Sequence, residues 1–357
     1  MQNTAVARID LDALRHNLQL VRRLCPRSRI MAMVKADAYG HGLQRSAAAL
    51  QDADGLGVAR LQEAIALREG GATKRILLLA TLLDAADLAT CSKLDIDVVA
   101  HDDASVKCIA THASRAPLRV WLKLDSGMHR AGLSPEAFAQ ADALLRRSPG
   151  IVELIHMTHL SDASDPCSAA TARQLSLFSD VHGVNLDAPV SVANSAALIS
   201  RPDTRADWVR PGLMLYGENP LESASPIGLR AAMTLMSFVI AIREIPSGES
   251  VGYGGTWTAT RPSRIATIGV GYGDGYPRTA RNGTPVMIND HPAPLVGVVS
   301  MDSLTVDITD CAAIRIGDPA VLWGAALPAS TVAKYAATIP YALMTSLQSR
   351  VTRTFHS

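Results

Sequence analysis

The chain has 357 residues and a formal net charge of +1, with 48% hydrophobic and 19% charged residues. The length favours two domains, and the composition suits a folded protein with a sizeable core rather than a disordered chain. A near-neutral charge gives no long-range field to attract nucleic acid or an anionic membrane, so we expect a small-molecule ligand.

Eight short apolar runs, rich in β-branched and aliphatic residues, occupy the first two-thirds of the chain. Several end in Gly, Ser, Asp or His, which is typical of buried parallel strands. The runs are Ile30–Val34, Leu56–Ala59, Ile76–Leu79, Val98–Ala100, Val120–Leu124, Ile155–Thr158, Val190–Ala193 and Val209–Leu215.

Helix-like segments separate these runs. Asp10 can cap a first helix, and Leu61–Glu69 and Ala137–Arg147 repeat the amphipathic pattern. Sustained strand–helix alternation predicts an α/β fold with an N-terminal (β/α)₈ barrel over residues 1–228, and a doubly wound sheet is the alternative.

The composition and periodicity of the sequence change after about Arg230. Helical periodicity fades, and Gly, Pro, Val, Ile and Thr become frequent, as in the segment RIATIGVGYGDGYPR. Short strands with turn signals predict a C-terminal β-rich domain over residues 229–357, and Pro220–Pro226 is the expected linker.

Several features bear on location. No apolar run approaches the roughly 20 residues that a membrane helix needs, and Met1–Asp10 lacks the basic and apolar regions of a signal peptide. The 5 cysteines are scattered and form no CxxC pair, which disfavours a disulfide framework or a zinc site. We therefore expect a cytoplasmic protein without membrane contact.

Lys35 directly follows the first apolar run. At a barrel rim a partly desolvated ammonium has a lowered pKa, so its free amine can attack an aldehyde to form a Schiff base. A rim lysine in an ion pair is the alternative, and the strand context alone does not decide between them.

The segment from Lys35 to Gly42, KADAYGHG, resembles the cofactor-lysine signature of alanine racemases, in which this lysine binds pyridoxal phosphate. Further segments match that family in the same order along nearly the whole chain. They are Lys123–Gly132, Met157–His159, Ala193–Ala197, Arg210–Gly217, Val251–Thr256, Gly271–Arg278 and Ser300–Asp302. The resemblance implies a pyridoxal 5'-phosphate enzyme of fold type III that interconverts L- and D-alanine.

The resemblance also implies how cofactor and substrate are held. Tyr39, Ser195 and Gly212 would bind the cofactor phosphate, with Leu213 beside them. This placement suits a barrel, in which the loops after the last two strands commonly bind phosphate. Arg130 would bind the substrate carboxylate and the cofactor's phenolic oxygen, a task that suits a planar guanidinium.

Racemisation needs a proton to be removed from one face of the substrate Cα and returned on the other, and two bases on opposite faces achieve this without moving the substrate. By resemblance, Lys35 serves the D-face and Tyr253 of a partner subunit serves the L-face. His159 would link that tyrosine to Arg210, which would donate to the cofactor's ring nitrogen. The active unit is then expected to be a head-to-tail homodimer with shared active sites.

Three further residues take roles from the resemblance. Tyr272 and Met301 would narrow the substrate entrance, with the Met301 N–H holding the carboxylate, and Lys123 resembles a lysine that many relatives carry as a carbamate. His156 and His159 lie three apart, which on a strand points them to opposite faces, so we expect no metal site.

Departures from the family pattern concentrate near the C-terminus. Ser349 falls where many members have a tyrosine that touches phosphate, and Thr352 replaces a proline. The alternatives are therefore a serine or broad-specificity racemase, a non-catalytic pyridoxal-phosphate-binding protein, or an interaction barrel without cofactor. In a bacterium, D-alanine would serve cell-wall synthesis, and the reverse flux would serve alanine catabolism.

Overall fold

The computed structural model describes residues 5–113, 116–183, 187–221, 227–311 and 313–357. The predicted linker, Pro220–Pro226, lies largely outside these described residues, which include only its first two positions. Within the described parts of the chain, no helix combines the length and apolar character that crossing a membrane requires.

Eight parallel strands of the described chain close into a barrel, and each predicted apolar run overlaps one of them. The (β/α)₈ prediction is confirmed, and the doubly wound alternative is wrong. The strands are β2 (Arg29–Met33), β3 (Gly55–Val58), β4 (Arg75–Leu78), β5 (Ile96–Ala100), β6 (Leu118–Lys123), β7 (Ile151–Met157), β8 (Val190–Asn194) and β9 (Trp208–Arg210).

Helices alternate with these strands. In α1 the Asp10 carboxylate accepts a 2.8 Å hydrogen bond from the Ala13 N–H, as predicted, and Leu14, Leu18 and Val21 are buried on one face. The helices up to the last strand of the barrel are α1 (Leu11–Leu24), α2 (Lys35–Tyr39, a left-handed turn), α3 (Leu43–Ala49), α4 (Leu61–Glu69), α5 (Ala85–Lys93), α6 (Asp103–Ala113), α7 (Pro135–Arg147), α8 (Ala169–His182) and α9 (Ser195–Ser200).

The C-terminal part is rich in strands, as predicted. The strands are β10 (Met233–Ile245), β11 (Ser250–Val251), β12 (Trp257–Thr258), β13 (Ser263–Ile268), β14 (Pro285–Ile288), β15 (His291–Pro294), β16 (Leu304–Asp307), β17 (Pro319–Trp323) and β18 (Thr352–His356), with helices α10 (Ala329–Tyr335) and α11 (Pro340–Thr345). All but β11 and β12, which pair with each other, belong to one sheet.

The first strand of the chain completes that sheet. β1 (Val6–Asp10) pairs antiparallel with β10 and parallel with β18. The N-terminal residues are thus spatially part of the C-terminal sheet. For the chain after β1, we retain the boundary near residue 228 as a proposal.

The barrel also contacts the C-terminal helices directly. The buried Glu218 carboxylate accepts hydrogen bonds from the N–H groups of Ala329 at 2.9 Å and Ser330 at 3.2 Å, at the start of α10. Gly40 lies so close to α11 that an added Cβ would fall 2.0 Å from the Met344 carbonyl oxygen. These contacts place α11 over one side of the barrel mouth.

Candidate active site

A cavity of about 760 Å³ lies at the carboxyl ends of the barrel strands. Almost every strand contributes to it through a residue at its end or just beyond. Its polar lining residues are Lys35, Tyr39, His101, Lys123, Arg130, His159, Asn194, Ser195, Arg210 and Tyr341. The structure thus brings most of the predicted site residues together at the barrel mouth.

Lys35 begins an unusual turn. Ala36, Asp37, Ala38 and Tyr39 all have φ near +54°, so α2 winds left-handed. Such a turn costs about 1–2 kcal/mol per residue for L-amino acids, and it persists only where its surroundings stabilise it. The sequence pattern contained no signal for this conformation.

Two hydrogen bonds accepted by acidic side chains stabilise this turn. The Asp37 carboxylate accepts from the Leu43 N–H at 2.7 Å, and Glu63 accepts from the Asp37 N–H at 3.3 Å. The turn sets the Lys35 amine and the Tyr39 ring along one wall of the cavity.

The charge around Lys35 is strongly positive. Lys123, Arg130 and Arg210 line the same cavity, and no carboxylate lines it among the described residues. Burial lowers the pKa of Lys35, and the nearby Arg130 charge lowers it further. The cavity therefore suits an anionic ligand, and it favours the uncharged, nucleophilic form of the Lys35 amine.

Tyr39, Ser195 and Gly212 meet at one end of the cavity. The Gly212 N–H donates to the Ser195 hydroxyl at 2.8 Å, and an added Cβ on Gly212 would fall 2.4 Å from the Tyr39 hydroxyl oxygen. Only glycine allows this approach. Leu213 follows directly and is buried against the same cavity.

Arg210 is buried and extensively hydrogen-bonded. Its guanidinium donates to the Ser191 hydroxyl at 2.5 Å and to the Thr158 carbonyl at 2.5 Å, and lies 3.3 Å from His159 Nδ1. Burial lowers the pKa of Arg210 to about 10, so the guanidinium stays charged at neutral pH. Burial is the larger cause, and the Arg210 charge the second, that holds the pKa of His159 well below its usual range. The His159 imidazole is therefore neutral.

Lys123 is a buried lysine at the end of β6. Its ammonium group donates to the Ala131 carbonyl, and burial lowers the pKa of Lys123 to about 8. The Arg210 charge contributes to the same shift. More of this amine is therefore uncharged near neutral pH than in an exposed lysine, although the charged form still predominates.

Three predicted site residues do not line the cavity of their own chain. Tyr253, Tyr272 and Met301 are 68%, 38% and 53% exposed. Tyr272 and Met301 are neighbours, because the N–H groups of Tyr272 and Gly273 donate to the carbonyls of Ser300 and Met301 at 3.0 and 2.8 Å. They form an exposed surface on the C-terminal part of the molecule.

His156 lies on β7, whereas His159 follows the end of that strand, so the two are not on one strand as expected, and they lie in different surroundings. His156 is buried outside the cavity, where its imidazole lies 2.8 Å from Asp142 and 3.1 Å from His182. His159 lines the cavity. Among the described residues, no group of three or more His, Cys, Asp or Glu side chains could hold a metal ion.

Comparisons with known proteins agree along the whole chain. Residues 9–220 match the model of the alanine racemase N-terminal domain, and residues 232–355 match that of the C-terminal domain. The chain belongs to the alanine racemase family.

Individual relatives of this family are similar over their full length. The alanine racemase of Chromohalobacter salexigens is 46% identical over 100% of this chain and 99% of its own. The crystal structure of the biosynthetic alanine racemase from Pseudomonas aeruginosa has a TM-score of 0.97 at 44% identity, covering 100% of both chains. The crystal structure of the alanine racemase from Bartonella henselae with covalently bound pyridoxal phosphate has a TM-score of 0.91 at 30% identity. The match covers 99% of this chain and 100% of that one.

The structure also places residues in the cavity that sequence reasoning missed. His101 directly follows β5, so its position after a strand was a signal available in the sequence. Ile339 and Tyr341 come from the start of α11, for which the local pattern gave no signal. Ser349, which the sequence analysis noted as a departure from the family pattern, is exposed and does not line the cavity.

Proposed function

We propose that this protein interconverts L- and D-alanine with pyridoxal 5'-phosphate held by Lys35. The observation that carries the proposal is the cavity around Lys35, where Lys123, Arg130 and Arg210 meet without a lining carboxylate among the described residues. A phosphorylated aldehyde and an amino-acid carboxylate supply the anions that such a cavity requires.

The residues present fit the cofactor. Lys35 would bind its aldehyde carbon, and Tyr39, Ser195, Gly212 and Leu213 would surround its phosphate. The close approach at Gly212, which a Cβ would fill, supports that placement. The relative from Bartonella henselae, whose structure has covalently bound pyridoxal phosphate, supports the same cofactor.

The bound cofactor would act as an electron sink that acidifies the proton on the substrate Cα. Arg210 would face the ring nitrogen, and its pKa of about 10 keeps it a hydrogen-bond donor rather than a proton source. By donating a hydrogen bond without giving up its proton, Arg210 would leave that nitrogen uncharged and a weaker electron acceptor, which would keep negative charge near Cα. This favours the return of a proton to Cα over transamination.

Two bases would move that proton. In the L-to-D direction, the phenolate of Tyr253 of the partner subunit takes the Cα proton on one face, and the Lys35 ammonium returns one on the other. The reverse direction exchanges these roles. His159, neutral and 3.3 Å from Arg210, would link the tyrosine to the arginine.

The substrate carboxylate would be held from both subunits. Arg130 lines the cavity and makes no hydrogen bond or ion pair with another described residue, so its guanidinium is free to bind an anion. Tyr272 and the Met301 N–H of the partner subunit would close the other side. This accounts for the exposure of both residues in the single chain.

Lys123 would carry a carbamate. Its neutral amine adds to carbon dioxide, forming an N–C bond and releasing one proton, which replaces a buried cation with an anion beside Arg130. The pKa of about 8 supports this, because it leaves reactive amine at neutral pH. Native mass spectrometry and a ¹³C carbamate resonance after ¹³C-bicarbonate labelling test it, and an unmodified lysine would refute it.

Mixing subunits of two inactive variants tests whether each active site is shared between two chains. Lys35→Ala should lose the yellow colour of the lysine-bound cofactor and the activity. Tyr253→Phe should keep the colour but lose proton exchange at Cα of L-alanine. Subunits exchanged at equal amounts should recover about a quarter of wild-type activity, since half of the dimers then hold one intact site. No recovery would place both bases in one chain.

The absorbance spectrum and the rates of exchange and turnover distinguish the alternative functions. A colourless wild-type protein would point to an interaction barrel, and a yellow protein without deuterium exchange at Cα of alanine would be a cofactor carrier. Turnover of L-serine faster than L-alanine would indicate a serine or broad-specificity racemase. No contact in the structure favours these alternatives, because Ser349 lies away from the cavity.

A further inference from the structure

We infer that His101 is the base that takes up the proton when carbon dioxide adds to Lys123, and that it then holds the carbamate in place. The inference rests on the proposed function, because it assigns a residue to the modification of that same site. The ligand that it implies for this corner of the cavity is carbon dioxide.

The first observation is that His101 lies beside Lys123 at the barrel mouth. Ala100 of β5 is paired with Leu122 of the parallel strand β6, so the next residues along the two strands are neighbours. These residues are His101 and Lys123, and both side chains line the cavity. Neighbouring strands lie about 4.8 Å apart, so the two side chains are within reach of each other.

The second observation is that one loop holds both residues. The Gly132 N–H donates to the His101 carbonyl at 3.1 Å. The Lys123 ammonium group donates to the carbonyl of Ala131, the residue before that glycine. On its other side, the His101 N–H donates to the Ser105 hydroxyl at 3.0 Å. The backbone contacts therefore fix where the His101 ring begins relative to Lys123.

The third observation is an unused nitrogen on the His101 ring. Nδ1 is buried and has no hydrogen-bond partner among the described residues, whereas Nε2 lies 3.5 Å from the Asp102 carboxylate. Hydrogen bonds from Ser105 lower the pKa of Asp102, so this carboxylate is charged at neutral pH and favours a proton on Nε2. In the neutral ring, Nδ1 is then an acceptor without a proton, as a base requires.

These groups can complete the addition with atoms and charge in balance. The uncharged Lys123 amine attacks the carbon of carbon dioxide, an N–C bond forms, and one C=O electron pair moves onto oxygen. The proton that leaves the nitrogen goes to Nδ1 of His101. The products are a carbamate anion and an imidazolium cation, so the cavity gains no net charge. The imidazolium then lies between two anions, the carbamate and Asp102.

The charges around Lys123 explain why a base is needed there. Burial lowers the pKa of Lys123 to about 8. The charges of Arg210 and Arg130 contribute to this shift, and that of Asp125 opposes it. His101 removes the released proton from these cations and keeps it as a counter-charge to the carbamate. For racemisation itself, His101 is a positioning residue, because it acts through the carbamate beside Arg130.

The test uses the cofactor-loaded enzyme and ¹³C-labelled bicarbonate. Carbon dioxide is removed and then returned, and the ¹³C carbamate resonance is followed; Lys123→Met, which should lack it, assigns the signal. His101→Asn and His101→Gln keep a polar side chain that cannot take up the proton. Either variant should slow carbamate formation by roughly a hundredfold or more, the usual contribution of a general base. The carbon dioxide concentration that half-loads Lys123 should rise by roughly tenfold to a hundredfold, the effect of losing one charge-assisted hydrogen bond.

Activity gives a second readout, which a purely structural defect would not produce. At ambient carbon dioxide, both variants should turn over L-alanine more slowly and with a higher KM, because Arg130 lacks the carbamate beside it. Saturating bicarbonate should restore the activity, and added imidazole should restore the rate of carbamate formation in His101→Ala. The matched control is His112→Asn, because His112 lies on α6 with Nε2 2.9 Å from the Ser92 hydroxyl, outside the cavity. This control should behave like wild type.

The outcomes separate this inference from the proposed function. Wild-type rate and occupancy of the carbamate in both His101 variants would overturn the inference and leave the proposed function standing. A loss that neither bicarbonate nor imidazole reverses would also overturn it, because the defect would then be structural. A wild-type enzyme without carbamate at any bicarbonate concentration would overturn both the inference and the modification of Lys123, and the racemisation assay on the same sample would still decide the proposed reaction.

Discussion

The close approach at Gly212 allows a quantitative test of the phosphate end of the cavity. A Cβ added there would lie 2.4 Å from the Tyr39 hydroxyl oxygen, well below the 3.0 Å at which real Cβ contacts begin. The contact alone should lower the free energy of unfolding by about 1–3 kcal/mol, the usual cost of overpacking.

Tyr39→Phe should relieve most of that cost. Without the hydroxyl, the nearest atom to the new Cβ is the ring carbon Cζ at 3.1 Å, which a small ring shift can accommodate. The two substitutions should therefore couple by about 0.5–2 kcal/mol in a double-mutant cycle. Equilibrium denaturant unfolding of the cofactor-free chain measures this, because a bound ligand would add its own stabilisation.

Tyr335→Phe is the matched control, because the Tyr335 ring packs near Arg281 and outside the cavity. Its effect should simply add to that of Gly212→Ala. An equal cost of Gly212→Ala with and without the Tyr39 hydroxyl would refute the geometry, because the clash would then lie elsewhere.

Three further predictions use other features of the site. In carbon dioxide-free buffer, the free energy of unfolding should rise by up to about 3 kcal/mol between about pH 8, the pKa of Lys123 in the folded chain, and 10.5, its ordinary pKa. In this range the unfolded chain keeps the proton on Lys123, whereas the folded chain has lost it, so Lys123→Met should show a smaller rise by denaturant titration. Gly40→Ala should cost more than about 3 kcal/mol, because it adds a Cβ 2.0 Å from the Met344 carbonyl at a φ of +81°, and a thermal midpoint equal to wild type would contradict it. The His159 imidazole should stay neutral from about pH 6 to 8 by NMR, and Arg210→Leu should raise its pKa; an unchanged titration would mean that burial alone depresses it.

The barrel could be predicted from sequence because its signals are local. Short apolar runs mark the buried strands, and the side chain of Asp10 caps the first helix as expected. The last run, Val209–Leu215, was predicted too long: the strand ends at Arg210, and the apolar residues after Pro211 continue into a buried turn. Hydrophobicity alone does not distinguish a buried strand from such a turn.

What could not be predicted depends on long-range contacts. The pairing of β1 with β10 and β18 joins segments more than 200 residues apart, and no local pattern specifies it. The left-handed turn at Ala36–Tyr39 runs against the preference of L-amino acids for negative φ. It is stabilised by distant residues, namely Glu63 and the packing of α11, so the local sequence does not predict it. Tyr341 reaches the cavity only through that packing, and so had no signal of its own.

In our proposal, ligand binding, docking of α11 and pairing of subunits are coupled. Lys35, Lys123, Arg130 and Arg210 repel one another, so an anion bound among them should stabilise the whole cavity. The barrel supplies these cations, and α11 supplies Tyr341. In our proposal a second chain supplies the remaining wall. A ligand that contacts all three should stabilise the closed assembly more than it stabilises any one part.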